Sequence, residues 1–470
     1  MMFCWNNLYT KLCIVLIVNV LCGATYMKKQ RVLCVFLVFL VVLNGFTIAV
    51  LSQTKQGVNM VNNNDSYDLL IILPNQFVSS VNPLVDHKNT VGIKTVMKTT
   101  EAIYDEYIGV DEIEEIKYFI KDAIEDLEVS YVLLLGDVNL IPIRTTAVSW
   151  EYFGNMVVSD VLTDLYYADI YDEQQAFSIW DTNQDGVYSE VRMIMDATSD
   201  YNETLEVIDK IEGKPDVMVG RIPCSNQRDV QNVIDKIITY ETTTFGSDWF
   251  NRLILMGGDT FPNTGGINEG EVVTEYVSSV MTDFTPITLW TSLQRFRFLI
   301  INAEISKGAG FVSYSGHGLP YGIATSPPDD TSQISYYTPF ILGLKNKDKY
   351  PIMYFDACLT AKLDYQLFNI DFPCFAWSMI KKPNAGAIAC IGATRTGFGG
   401  FAGDPFMAGA SSLHAFFFDS YEPGIHLGEM FSNAQYLFID QIMEKVMYDP
   451  LTIQEFTLLG DPSLKIGGYQ

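Results

Sequence analysis

The chain has 470 residues, of which 48% are hydrophobic and 13% aromatic, and a formal net charge of −26. This is the composition of a folded protein with a sizeable core, and it excludes a collagenous, low-complexity or intrinsically disordered chain. The negative field repels polyanions, which excludes nucleic acid as a partner and favours cations and basic substrates.

At the amino terminus, Val32 to Leu51 is an almost uninterrupted apolar stretch preceded by Lys28, Lys29 and Arg31. That is the pattern of a signal peptide, with a cleavage site near Val50-Leu51-Ser52, or of a retained membrane anchor just long enough to span a bilayer. A second apolar run, Cys13 to Cys22, lies upstream of Met27. The expected start is therefore Met27, with a two-helix membrane hairpin as the alternative. Residues 1–52 are read as leader and 53–66 as a polar, asparagine-rich linker expected to be disordered. The body is expected outside the cell or on its surface, with membrane contact only through the leader.

Tyr67 to Pro74 (YDLLIILP) reads as a buried strand, Glu112 to Leu127 as an amphipathic helix, and Tyr131 to Leu135 as a strand closed by Gly136-Asp137. Strand, helix and strand at this spacing make a βαβ unit and predict a parallel sheet. Val217 to Val219, ending at Gly220-Arg221, and a helix over Gln227 to Tyr240 repeat the theme. A polar stretch around Thr242 to Asp248 then divides an N-terminal α/β subdomain, 67–248, from a second, 249–470. Strands are predicted in the second at Leu253 to Met256, Phe311 to Tyr314, Ile352 to Phe355 and Ala387 to Ile391. The fold class is α/β, two side-by-side subdomains with mostly parallel sheets.

Within the first subdomain, Trp180 to Glu190 (WDTNQDGVYSE) places Asp181, Asn183 and Asp185 at alternate positions, then Gly186 and Glu190. Several oxygens from one tight turn suit a hard cation, so a structural calcium ion is expected there. The loop departs from the EF-hand pattern, because Arg192 stands where the bidentate glutamate would be; an Asx-rich turn is the alternative. The body's cysteines, Cys224, Cys358, Cys374 and Cys390, match no zinc spacing, and a disulfide such as Cys224 to Cys374 stays open.

In open α/β sheets ligands bind beyond the carboxyl ends of the strands. Two of those ends hold what a thiol enzyme needs: His317 after FVSYSG and Cys358 after IMYFDA. An imidazole beside a thiol generates the nucleophilic thiolate and later protonates the leaving amine. The N–H groups of Gly318 and Cys358 are the candidate oxyanion hole. On spacing alone, a buried cysteine and a capping histidine account for the same pattern equally well.

Ordered landmarks extend the comparison: YVLLLGDVNLIP at Tyr131 to Pro142, VSD at Val158 to Asp160, VGRIPC at Val219 to Cys224, YSGHG at Tyr314 to Gly318, FDAC at Phe355 to Cys358, FPCFAW at Phe372 to Trp377, and LGDPSL at Leu459 to Leu464. With them the chain resembles the gingipain family of cysteine peptidases. The resemblance implies a caspase-like α/β/α fold and hydrolysis of peptide bonds in protein or peptide substrates through a thioester, with Cys358 as nucleophile and His317 as base. It places Asp259 as the acidic assistant of the histidine, and Glu269 or Glu271 in a pocket for arginine or lysine. No organic cofactor is implied. Two other readings share these residues: a transpeptidase acting on exported proteins, and a calcium-stabilised surface protein without activity.

Overall fold

The computed structural model describes residues 66–470, apart from 153–154, 197–201, 264–265, 399–404, 407–408 and 443–448. The leader, the start at Met27 and all of the linker but Ser66 lie outside the described residues. Among the described residues no helix is long and apolar enough to cross a membrane.

The short apolar runs assemble into one ten-stranded sheet. Its strands are β1 (Leu69–Leu73), β2 (Thr95–Thr99), β3 (Tyr131–Leu135), β4 (Met218–Ile222), β5 (Arg252–Gly257), β6 (Thr285–Trp290), β7 (Phe311–Ser315), β8 (Ile352–Asp356), β9 (Ala389–Ala393) and β10 (Phe456–Leu459). Across the sheet they run β6-β5-β7-β8-β9-β10-β4-β3-β1-β2. Strands β1, β3, β7 and β8 are buried at every position. Continuous apolar sequence, without alternation, is what a strand covered on both faces requires. The cover comes from α1 (Val78–Thr90), α2 (Glu112–Leu127), α3 (Gln227–Thr243), α4 (Glu269–Val280), α5 (Phe298–Ser306), α6 (Ala410–Asp419) and α7 (Leu427–Gln441). Helix α2 begins where Asp111 accepts the Glu114 N–H at 2.9 Å, and α3 where Asn226 accepts the Asp229 N–H at 3.0 Å. Both side chains satisfy an N–H that the helix itself cannot.

All neighbouring strands are parallel except β9 and β10. Because β10 is antiparallel to β9 and parallel to β4, strands β1–β4 run opposite to β5–β9. Their carboxyl ends therefore open on opposite edges of the sheet. The sheet continues through β10 across the passage at 248–249, and Val61–Gln470 form one compact unit.

Strand β4 does not stop before Gly220-Arg221 as the sequence suggested; it runs on to Ile222. Arg221 is fully buried there because Asp164 receives it at 2.8 and 2.7 Å and the Ile141 carbonyl accepts a third bond at 2.8 Å. A buried charge is tolerated when it is paired in this way. A four-stranded sheet of Asn155–Thr163, Arg144–Tyr152, Val191–Asp196 and Asn202–Val207, in that order, was not anticipated.

From β5 the chain passes through α4 to β6 on one side, then returns through α5 to β7 on the other. The ends of β5 and β7 thus flank a topological switch point, where open α/β sheets place their ligands.

Candidate active site

Strands β7 and β8 pair with Ser315 opposite Asp356, and the Gly316 N–H donates to the Asp356 carbonyl at 3.1 Å. His317 and Cys358 each stand two residues beyond this pair, so the register sets them side by side. Both line one cavity of about 280 Å³ together with Thr260, Glu269, Phe398 and Ser411.

Local backbone chemistry explains the placement. The chain leaves β7 through Gly316 at φ 154°, where a Cβ would sit 2.6 Å from the Tyr314 hydroxyl. That hydroxyl lies 3.0 Å from the His317 carbonyl and 2.7 Å from that of Ala324, fixing the hairpin formed by His317–Leu319 and Gly322–Thr325. At Gly318 a Cβ would run into the Cys358 carbonyl oxygen, so only glycine lets the histidine hairpin lie against the cysteine backbone. Past Cys358 the chain turns at Leu359, whose φ of 57° is left-handed, with its N–H held by the Arg395 carbonyl at 2.8 Å. A branched residue in that region stores about 1–3 kcal/mol, strain of a kind that gathers at functional sites.

His317 Nε2 lies 2.9 Å from the Thr260 carbonyl. A carbonyl can only accept, so Nε2 carries a hydrogen, and the lone pair of the neutral ring is then the one on Nδ1. Phe261 meets the ring edge-on, with centroids 5.9 Å apart. Cys358 is half-buried, and its thiol donates to the Gly397 carbonyl at 3.4 Å. Burial first, then the nearby Glu455 and Asp356 carboxyls, push that thiol up to about 11. The resting group is therefore a thiol.

Two buried carboxyls stand around the cysteine. Asp356 accepts the Ser315 and Ser411 hydroxyls on one oxygen, at 2.7 and 2.8 Å, and burial pushes it up to about 6. His414 Nδ1 is 3.9 Å from that oxygen, but burial pushes this imidazole down to about 3 and keeps it neutral. Glu455 is fully buried, with no hydrogen-bond partner on either oxygen among the described residues, and burial holds its pKa well above the usual carboxylate range.

The structure does not bring Asp259 to His317. Its carboxylate accepts the Asp329 N–H at 3.0 Å and its backbone bridges Ser326; the group behind the imidazole is the carbonyl of the next residue, Thr260. Burial, followed by the nearby Glu269 and Asp329 charges, raises the Asp259 pKa. Glu269 borders the cavity, one oxygen accepting the Thr260 N–H at 3.0 Å and the Phe261 N–H at 3.3 Å. Glu271 does not: it binds the Ser292 N–H at 2.9 Å and hydroxyl at 2.6 Å, away from the cavity lining. In the 181–190 loop, Asp181, Asn183 and Asp185 oxygens accept the loop's own N–H groups, while Glu190 pairs with Arg192 at 2.8 Å. Cys224, Cys358, Cys374 and Cys390 are free thiols.

Sequence reasoning missed Thr260, Asp356, Ser411 and Glu455 as neighbours of the dyad. Asp356 was visible in the FDAC motif; nothing local marks Ser411 or Glu455, which arrive from α6 and from the helix Asp449–Glu455.

The profile described as "Peptidase family C25" matches residues 62–467. The chain belongs to peptidase family C25. Its relatives include Lys-gingipain of Porphyromonas gingivalis, 25% identical over 189 residues, which is 40% of this chain and 10% of that protein. Gingipain R2 of the same organism is 22% identical over 69% of this chain and 36% of its own length. An uncharacterised protein of Archaeoglobus fulgidus is 23% identical over 70% of this chain and 75% of its length. The chain thus spans well under half of the gingipains it matches. Among solved structures, the Arg-specific cysteine proteinase gingipain R superposes with a TM-score of 0.59 at 18% identity, covering 87% of this chain and 79% of that one. The C25 chain shares that caspase-like α/β fold.

Proposed function

We propose that this C25 chain is an exported cysteine endopeptidase using Cys358 and His317. The observation that supports the reading is that His317 and Cys358, each two residues past the paired Ser315 and Asp356 of β7 and β8, line one cavity. His317 Nδ1 takes the thiol proton as Cys358 Sγ attacks the scissile carbonyl carbon. Burial raises the thiol, which favours removing its proton as the sulfur attacks. The oxyanion meets the N–H groups of Cys358 and Gly318. When the C–N bond breaks, the proton on Nδ1 goes to the leaving amine and a thioester remains. Water then attacks the thioester, giving its proton to Nδ1, and the acid leaves as the sulfur recovers the proton. Thr260 holds the imidazole tautomer throughout.

A preference for arginine or lysine is supported by the acidic chain and by Glu269 on the cavity wall. The apolar leader supports export. With fluorogenic peptides, the purified chain is expected to show thiol-dependent turnover, which Cys358→Ala abolishes and His317→Ala lowers by about 10²–10⁴-fold. Turnover that survives Cys358→Ala would defeat the proposal.

Calcium at Asp181, Asn183, Asp185 and Glu190 is part of the same proposal. Its entry requires Glu190 to leave Arg192. Added calcium is expected to raise Tm by roughly 2–4 °C, and Asp185→Ala to remove that increment; identical melts with calcium and with chelator would refute it.

A further inference from the structure

The cavity holds a second carboxyl that the mechanism above leaves idle. Asp356 stands two residues before Cys358 and lines the cavity beside Ser315 and Ser411. We propose that Asp356 is the specificity-determining residue that receives the basic side chain of the substrate next to the nucleophile. This rests on the peptidase reading of the same cavity.

The argument is one of charge compensation. Glu269, the acidic residue first expected in this role, is the opening residue of α4, where the helix dipole favours a carboxylate, and two backbone N–H groups already donate to it. Asp356 has neither form of support. Its partners are two neutral hydroxyls, and its nearest imidazole, His414, is itself uncharged. Among the described residues no lysine or arginine pairs with it. Both hydroxyls go to the same carboxylate oxygen, Oδ2. Asp356 is 6% exposed and belongs to the cavity lining.

A buried carboxylate without a counter-charge is unfavourable, and a cation arriving beside it relieves the cost. A guanidinium or ammonium in the cavity supplies the charge that the protein omits, while Ser315 and Ser411 keep one carboxylate oxygen in place.

The test uses two peptides identical but for arginine or citrulline, its neutral isostere, before the scissile bond. Values of kcat/KM are measured for the wild type, Asp356→Asn, Asp356→Glu and Glu269→Gln. Both peptides are read on the same preparation, so the ratio does not depend on its active fraction and misfolded protein is not counted. Asparagine keeps an acceptor for both serines; a merely structural Asp356 would leave the arginine-to-citrulline ratio unchanged. The expected result is a ratio well above one in the wild type that falls about hundredfold in Asp356→Asn, about tenfold or less in Asp356→Glu, and by less than tenfold in Glu269→Gln. An unchanged ratio in Asp356→Asn, or a collapse confined to Glu269→Gln, overturns the proposal. Equal cleavage of both peptides by the wild type overturns it while the peptidase reading stands. Cleavage of neither peptide overturns both.

Discussion

Cys358 sits in a negative, partly dry setting, and that has a measurable consequence in the free protein. Thiolate is the species that alkylates, and burial with Glu455 and Asp356 nearby pushes the thiol up to about 11. The sign follows directly: a raised pKa means less thiolate at neutral pH, so the alkylation rate should keep climbing through pH 9 and level only near 11. Iodoacetamide kinetics against pH, with Cys358→Ala as blank, measures this; a plateau below pH 8 would contradict it. At this scale the sequence was legible for Cys358, His317 and Gly318, because each sits at a strand end in a short motif. It was less legible for Asp259, since a one-residue difference decides whether a carboxylate or the Thr260 carbonyl faces the imidazole. Glu269 and Glu271 are two residues apart on a helix, hence on different faces. Only the helix start at Asn268 determines which one borders the cavity.

Among the elements, β4 shows how tertiary partners override a local signal. Gly220-Arg221 reads as the end of a strand, yet Asp164, 57 residues away, lets the arginine stay inside. Asp164→Ala would leave that guanidinium buried without its counter-charge, and the expected cost is about 3–5 kcal/mol in urea unfolding. A loss below about 1 kcal/mol would show that the carbonyls alone satisfy Arg221. Strands β1, β3, β7 and β8 were readable because fully covered strands are apolar at each position. Helix α2 was readable to its ends through its apolar period. The exposed strand β6 (TPITLW) and the outer four-stranded sheet were not, because partly solvated strands carry mixed sequence and owe their pairing to neighbours.

For the whole molecule, β10 decides how the halves behave. One strand pairs with both β9 and β4, so neither half has a complete sheet without it. Heating or urea should therefore unfold the body in a single transition, seen alike by far-ultraviolet dichroism and tryptophan fluorescence. Thr457→Pro removes a ladder N–H from an interior strand and is expected to cost about 3 kcal/mol or more across that same transition. Two resolved transitions in the wild type would show that the halves fold independently.

The place of β10 in the chain also fixes a timetable. Every other strand of the sheet precedes it in sequence, and it lies more than 200 residues after its neighbour β4. A polypeptide emerging amino end first can arrange β1–β4 and then β5–β9, but the two arrays stay unjoined until β10 arrives. Cys358 and His317 leave the ribosome, or the export channel, well before the strand that closes the sheet beside them. Completion of the sheet that carries them is thereby postponed until residues 456–459 have been made, so strand order alone separates the synthesis of the two residues from the closing of their platform.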